Sequence, residues 1–366
     1  MKNSIKKTVL LGLVLFTLTG CTKYLKNSED KNVTNPKTGQ SLTENILCRP
    51  TDEETIKLYL ENGVDLEKLP NCVCDEEYVT NESKYKLPEK EEVVENTKET
   101  KKEDKKVAVT ESNEDPTTDV IVEEKTQCKA FKVTSGGYEG LWTSIFVKPL
   151  AWLILFFGKY LSNFGLGLIA VTIVIRLIMY PLTKKTAMQS EMMKKIQPEL
   201  DKLEKKYEKK DQNDREVMMA KSQEMMAIYK KNNFNPMTGC ISSLIQLPIF
   251  IAFLEAINRI PAIFEEKLLG LHLGTSPSVG IGNGNYLYLL VIVVVGVSTF
   301  FSFKNTQSSG GNEQTQKQTK TMMNVFLVMI VVMSIFMTTA LGVYWTCSNL
   351  FTIGQNYLVK RRSQKC

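Results

Sequence analysis

Residues 165–182, GLGLIAVTIVIRLIMYPL, decide the fold. As a helix this stretch is about 27 Å long, close to the roughly 30 Å hydrocarbon core of a bilayer. It has no polar face of the kind that a surface helix of a soluble domain shows. Its one charge is Arg176, with apolar residues on both sides and Pro181 five positions further on. The chain is therefore expected to be a membrane protein, with Arg176 as the residue to explain.

Upstream, the apolar run begins at Phe146. A single helix from there to Leu182 would measure about 55 Å, far more than one crossing needs. Lys148, Pro149, Lys159, Ser162 and Asn163 interrupt its first half. The run reads either as an interfacial helix, 148–161, followed by one span, 165–182, or as two spans. Downstream, Lys184, Lys185, Lys194, Lys195, Lys202 and Lys205 open a cationic helix. Met188, Met192, Ile196, Leu200, Leu203 and Tyr207 recur on it at helical spacing. Asp211-Gln212-Asn213-Asp214 is a turn, and Arg215–Lys231 returns with Met218, Met225 and Tyr229 on one face. This helical hairpin, 183–236, is expected in the cytoplasm, because Lys and Arg set orientation.

The N-terminus chooses between one span and two. Lys2, Lys6 and Lys7 precede Val9–Leu18, an apolar stretch too short to cross. Leu18-Thr19-Gly20-Cys21 resembles a bacterial lipobox, in which the Cys thiol takes a diacylglycerol before the peptide is cut. Residues 1–20 then form a lipoprotein signal, and Cys21 is the lipidated, extracellular start of the mature chain. With that end outside and the hairpin inside, one crossing precedes the hairpin. The interfacial helix plus one span, together 142–182, satisfies this.

The composition of the 366 residues averages two unlike halves, and the net charge of +6 says little until it is placed. Residues 21–138 read as a lipid-anchored, largely disordered extracellular region. Within it, Thr51–Leu60 suggests an amphipathic helix, and 76–126 is a Lys- and Glu-rich run too poor in apolar residues to fold. Cys48, Cys72, Cys74 and Cys128 would lie outside, where disulfides among them can persist. Cys72-Val73-Cys74 makes no metal site, since the chain's one histidine is His272, in a later loop. Cys240 and Cys347 sit in apolar segments as small packing residues.

The remaining segment, 237–358, is expected to hold spans two to five. Met237–Leu254 crosses outward, and a mixed-charge loop with Glu255, Arg259, Glu265 and His272 follows. Tyr286–Phe303 crosses inward, onto Lys304, Lys317 and Lys320. Met322–Ile353 would be about 48 Å as one helix, and Lys360, Arg361 and Arg362 come after it. A turn near Thr338–Gly342 makes two spans of it and returns the tail, 359–366, to the cytoplasm. The fold class is thus all-α: five transmembrane helices, a cytoplasmic helical hairpin and an extracellular interfacial helix.

A cation at the depth of Arg176 costs a few kcal/mol or more unless it faces water or a partner. No Asp or Glu lies in the apolar part of any expected span. A water-filled groove is the remaining reading, and other spans supply polar groups to line it. Ser242, Ser243 and Gln246 cluster before Pro248; Tyr344, Trp345, Ser348, Asn349 and Gln355 follow in the last span. Tyr344, Ser348 and Gln355 share one helical face. Each of these also suits plain helix–helix contact. The spans hold no histidine, paired carboxylates or activated nucleophile, and no phosphate-binding loop is found. Neither an enzyme nor a cofactor is expected.

Four motifs, VTIVIRLIMYPLTKKTAMQS, IQPELDKLEKKY, NPMTGCISSLIQLPIFIAFLEAI and LGVYWTCSNLFTIGQNYL, resemble the YidC/Oxa membrane protein insertases over about Trp142–Lys360. The lipobox fits the lipoprotein form of bacteria with a single membrane. The resemblance implies a groove open to cytoplasm and lipid and closed outside, with Arg176 at its centre. It implies that Arg176 attracts acidic residues of the incoming chain, while Ser242, Gln246, Tyr344, Trp345, Asn349 and Gln355 hydrate or pack it. The implied partners are nascent membrane proteins, membrane lipids and, through the hairpin, the Sec translocon and the ribosome; nucleic acid is not among them. A channel or small-anion transporter using the same Arg is the rival, though the chain shows no inverted repeat. Two departures stand out. Thr338-Thr339-Ala340 precedes Leu341 where a proline is expected, and 22–138 is longer than the short linker of such forms.

Overall fold

The computed structural model describes residues 23–74, 128–208, 210, 214–235, 237–306 and 313–363. The expected signal peptide and Cys21 lie outside these residues, as does the Lys- and Glu-rich run. The described residues are mostly helical: α1 (Glu53–Glu61), α2 (Lys148–Tyr160), α3 (Phe164–Glu208), α4 (Arg215–Lys231), α5 (Met237–Asn258), α6 (Pro261–Glu265), α7 (Pro277–Gly282), α8 (Leu287–Thr306), α9 (Glu313–Phe336) and α10 (Thr339–Ser363). A two-residue antiparallel pair, β1 (Lys267–Leu268) and β2 (Leu271–His272), lies between α6 and α7.

Residues 23–73 correct the expectation of a largely disordered region. Three antiparallel bridges, Tyr24 to Thr43, Lys26 to Asn32 and Thr34 to Ser41, fold the chain back on itself. Leu25, Val33 and Leu42 thereby meet Ile46, Tyr59 and Leu66 in a small core. Asp52 caps α1 by accepting from the Thr55 N–H, with Glu53 and Glu54 in the first turn, where acids favour the helix dipole. The Tyr59 hydroxyl, buried with its helix, donates to the Thr43 carbonyl. The Cys48–Cys72 disulfide closes the unit. Composition hid this core because its apolar residues are widely spaced and converge only through turns. A second disulfide joins Cys74 to Cys128.

α2 and α3 pack through glycine. A Cβ on Gly167 would come within 2.7 Å of the Gly158 Cα and the Ile154 carbonyl, so a side chain there would force the helices apart. Asn163 opens α3, its carboxamide oxygen accepting from the Leu166 N–H. α3 then runs through Pro181 and Pro198 as one helix about 67 Å long. The expected boundary at 182/183 is therefore not a break. The Thr183 hydroxyl lies within hydrogen-bond reach of the Met179 and Tyr180 carbonyls, the i−4 and i−3 positions that threonine commonly approaches in a helix.

The far half of α3 and α4 form an antiparallel hairpin around Met193, Ile196, Leu200 and Tyr229. The Lys206 ammonium (2.7 Å) and the Tyr207 hydroxyl (2.9 Å) hold Glu224 across it. α4 matches the expected Arg215–Lys231. α10 packs between α3 and α8, with α9 against α8. The α9–α10 turn sits at Met337–Thr338, just ahead of Ala340. No proline is needed there, because the loop between β2 and α7 supplies the acceptors for the first N–H groups of α10. Thr339 donates to the Thr275 carbonyl and Ala340 to that of Leu273.

Among the described residues, α3 and Leu287–Lys304 of α8 are long and apolar enough to cross a membrane. Leu290, Val293, Val297, Val325, Val328 and Val332 of α8 and α9 are exposed, an apolar surface suited to hydrocarbon rather than water.

Candidate functional site

Arg176 lies half-buried on the face of α3 that meets α10. Its guanidinium donates to the hydroxyl of Ser348, which is itself buried. Among the described residues Arg176 makes no ion pair, so the charge is met by a neutral hydroxyl alone. One hydroxyl satisfies one of five N–H donors and leaves the positive charge uncompensated. Two turns along α10, the buried Gln355 accepts from the Thr183 hydroxyl (2.9 Å), so the α3–α10 seam carries a row of polar contacts.

The other expected lining residues divide. Tyr344 is buried one turn from Ser348, its ring stacked on Phe253 of α5 at 4.3 Å. Trp345 is half-buried and meets Phe250 edge-on at 5.0 Å. These two aromatics join α5 to α10 beside the Arg176–Ser348 pair. Gln246 is half-buried on α5, two residues before Pro248. The Ser242 and Ser243 side chains lie outside the described residues. Asn349 is placed differently: its amide donates to Thr299 (2.9 Å) and Ser298 (3.3 Å) of α8. It is committed to helix contact, away from the group around Arg176. Cys347, a free thiol on the same turn as Ser348, approaches the Ile169 carbonyl of α3.

A second polar group, at the C-terminal end of α5, is not apparent from the sequence. Arg259 and Glu255, taken for loop residues, are both buried at the end of α5. Arg259 pairs with Glu139 and donates through Nε to the Asn45 carbonyl (2.6 Å). Glu255 accepts from the Trp142 indole N–H (3.1 Å), while its second oxygen has no partner among the described residues. Burial pushes this carboxyl, one residue beyond the expected crossing, up to about 7, against the Trp142 hydrogen bond and the Arg259 charge. Lys148, buried at the start of α2, donates to the Ser135 and Gly137 carbonyls; burial lowers its pKa, and Glu139 opposes that shift. The available signal was the i, i+4 spacing of Glu255 and Arg259 at the end of an apolar helix. His272, expected in a loop, is partly buried, with its backbone N–H on the Tyr288 hydroxyl.

The family model of the 60Kd inner membrane protein matches residues 156–365, which include Arg176 and every expected groove residue. Among known proteins, the chain is 36% identical over 224 residues to "Membrane protein insertase YidC" of Oceanobacillus iheyensis, covering 61% of this chain and 85% of that protein. It is 38% identical over 220 residues to "Membrane protein insertase MisCA" of Bacillus subtilis, covering 60% and 79%. On the family match over more than half its length, the chain belongs to the YidC/Oxa family.

Proposed function

We propose that this chain inserts integral membrane proteins and helps them fold, through a hydrophilic intramembrane groove centred on Arg176. The relatives carry the name insertase, and the Arg176–Ser348 pairing is the observation on which the mechanism rests. A cation in an apolar helix, with a hydroxyl and no acid to meet it, has unspent capacity for an anionic group. An acidic residue in the extracellular segment of a substrate would use that capacity in transit. Ser348, Gln355, Gln246 and Ser242 supply polar surface along the route, and Tyr344 and Trp345 supply aromatic walls. The polar part of the substrate then crosses a shorter stretch of pure hydrocarbon. Partition of its apolar helix into lipid drives the step. No nucleotide, metal or covalent intermediate enters the reading.

The same proposal carries the topology: five spans, lipidated Cys21 outside, and the hairpin and C-terminus in the cytoplasm. α5, α9 and α10 supply the crossings beyond α3 and α8. The hairpin, with its Lys-rich exterior, receives substrate and meets the Sec translocon or the ribosome.

Arg176→Ala tests the mechanism in membrane vesicles. Insertion of a small substrate with an acidic extracellular segment should fall while ion flux through the vesicles stays unchanged. Retained insertion with altered flux would overturn the reading in favour of a channel or anion transporter.

A further inference from the structure

We propose that residues 23–73 form a cap that seals the outer end of the groove, latched onto the last turn of α5 through Arg259. The inference rests on the groove reading above and concerns a part of the chain that lies outside the family match.

A helix ends with carbonyls that lack intrahelical donors, and a buried end must find them elsewhere. At the end of α5 the donors come from 23–73. The Thr43 hydroxyl donates to the Asn258 carbonyl (2.8 Å), and the Leu47 N–H donates to that of Arg259 (2.9 Å). The exchange is mutual, since Arg259 donates its Nε to the Asn45 carbonyl. Arg259 is 1% exposed. A guanidinium that deeply buried depends on Glu139 and on the Asn45 carbonyl; its Nη1 has no partner among the described residues, and lifting the cap would remove the Nε partner as well. Further along the seam, the Glu265 carboxylate accepts from the backbone N–H groups of Thr51 (2.8 Å) and Asp52 (3.0 Å) and from the Thr51 hydroxyl. Gly39, at φ +67°, lies so near Val279 of α7 that a Cβ would come 2.3 Å from its methyl carbon.

The cap joins the interior that leads to the groove. Leu47, Cys48 and Cys72 belong to the same apolar cluster as Phe131, Trp142, Phe253, Ile257 and Tyr344. Tyr344 stands one turn from Ser348, which holds Arg176. One apolar cluster thus runs from the Cys48–Cys72 disulfide to the neighbourhood of the polar centre. Part of the seam is open: a cavity of about 150 Å³ lies between Asn35, Gln40 and Tyr59 of the cap and Phe264, Glu265 and His272 of the outer loop. There the cap is held by hydrogen bonds rather than continuous packing.

Cys347, next to Ser348, reports on the seal. In the full-length chain carrying Cys240→Ser and Cys366→Ser, a membrane-impermeant maleimide is applied to intact cells and, separately, to inside-out vesicles. With the cap intact, Cys347 should react from the inside and remain unreacted from the outside. Glu265→Ala and Gly39→Val disturb the seam at separate points and leave the membrane helices untouched. Each should raise outside labelling several-fold with inside labelling unchanged. Outside labelling that is already high with the cap intact, or that neither substitution raises, would overturn the cap. Absence of inside labelling in the parent chain would overturn the groove reading and the cap with it, so the two failures are told apart.

Discussion

The Arg176 guanidinium donates to the Ser348 hydroxyl across the α3–α10 seam, joining residues 172 positions apart. The pair is asymmetric: a full charge on one side and a neutral group on the other. An asymmetric pair binds its cation weakly and leaves it free to attract another partner.

Charge at this point should matter more than shape. Arg176→Lys is expected to retain much of the insertion activity, and Arg176→Ala to lose about tenfold or more, the scale of one charge-assisted hydrogen bond. Insertion of an acidic substrate and of its neutralised variant, compared in the same vesicles, checks this. The difference between Lys and Ala should shrink for the neutralised substrate.

Asn349 should behave as a structural residue. Asn349→Ala removes the amide that donates to Ser298 and Thr299 of α8. The expected cost is about 1 kcal/mol, in the range of hydrogen bonds between membrane helices. Thermal unfolding in detergent should shift downward, while insertion per folded molecule stays the same. A loss of insertion without a loss of stability would return Asn349 to the groove.

The polar group at the end of α5 should make stability depend on pH through Glu255. Its carboxyl is raised to about 7 in the folded chain. A raised carboxyl favours the folded state fully below its unfolded value, about 4.5, and that contribution is lost as pH rises through about 7. Around it stand the Trp142 indole, Arg259, and Glu139, with Lys148 near Glu139. Glu255→Gln keeps the shape and the Trp142 contact without the ionisation. Melting temperatures between pH 5 and pH 8 should fall for the parent chain, and this fall should be much smaller in Glu255→Gln.

Arg259→Met should be more damaging than Glu255→Gln. It leaves Glu139 with Lys148 alone, at 4.0 Å, and the Asn45 carbonyl without its donor. Because Arg259 is buried but Glu139 is exposed, the cost should fall below the about 3–5 kcal/mol of a fully buried pair. Proteolysis of the intact membrane from outside should cut within 23–73 faster than in the parent chain.

Opening the Cys48–Cys72 bridge, whose ends are 24 positions apart, should cost about 3–4 kcal/mol by loop-closure entropy. Cys48→Ser with Cys72→Ser is expected to lower the melting of the cap. The α3–α4 hairpin, which contains neither residue, should keep its stability, as hydrogen exchange of the two regions can show.

Most of the bundle was legible in the sequence because its signals are local. The apolar run before Pro181, the spacing of Met188 to Tyr207, and the return of Arg215–Lys231 each follow from helix period and side-chain polarity. The continuity of α3 through Pro181 was not legible, since a proline inside a helical pattern more often ends or kinks the helix. The α9–α10 turn was expected near its observed place, but its support by Leu273 and Thr275 comes from a distant loop.

The sequence by itself determined that this chain is helical, apolar in long blocks, and burdened with one deep cation, because polarity and period act over a few neighbouring residues. Only the tertiary structure decided that Ser348 meets that cation while Asn349 turns to α8, a choice made by which helix packs on which face of α10. It also decided that residues 23–73 are folded and closed onto α5. Their few apolar groups, too dispersed to register as a core along the chain, become one when the turns and the Cys48–Cys72 bridge bring them together.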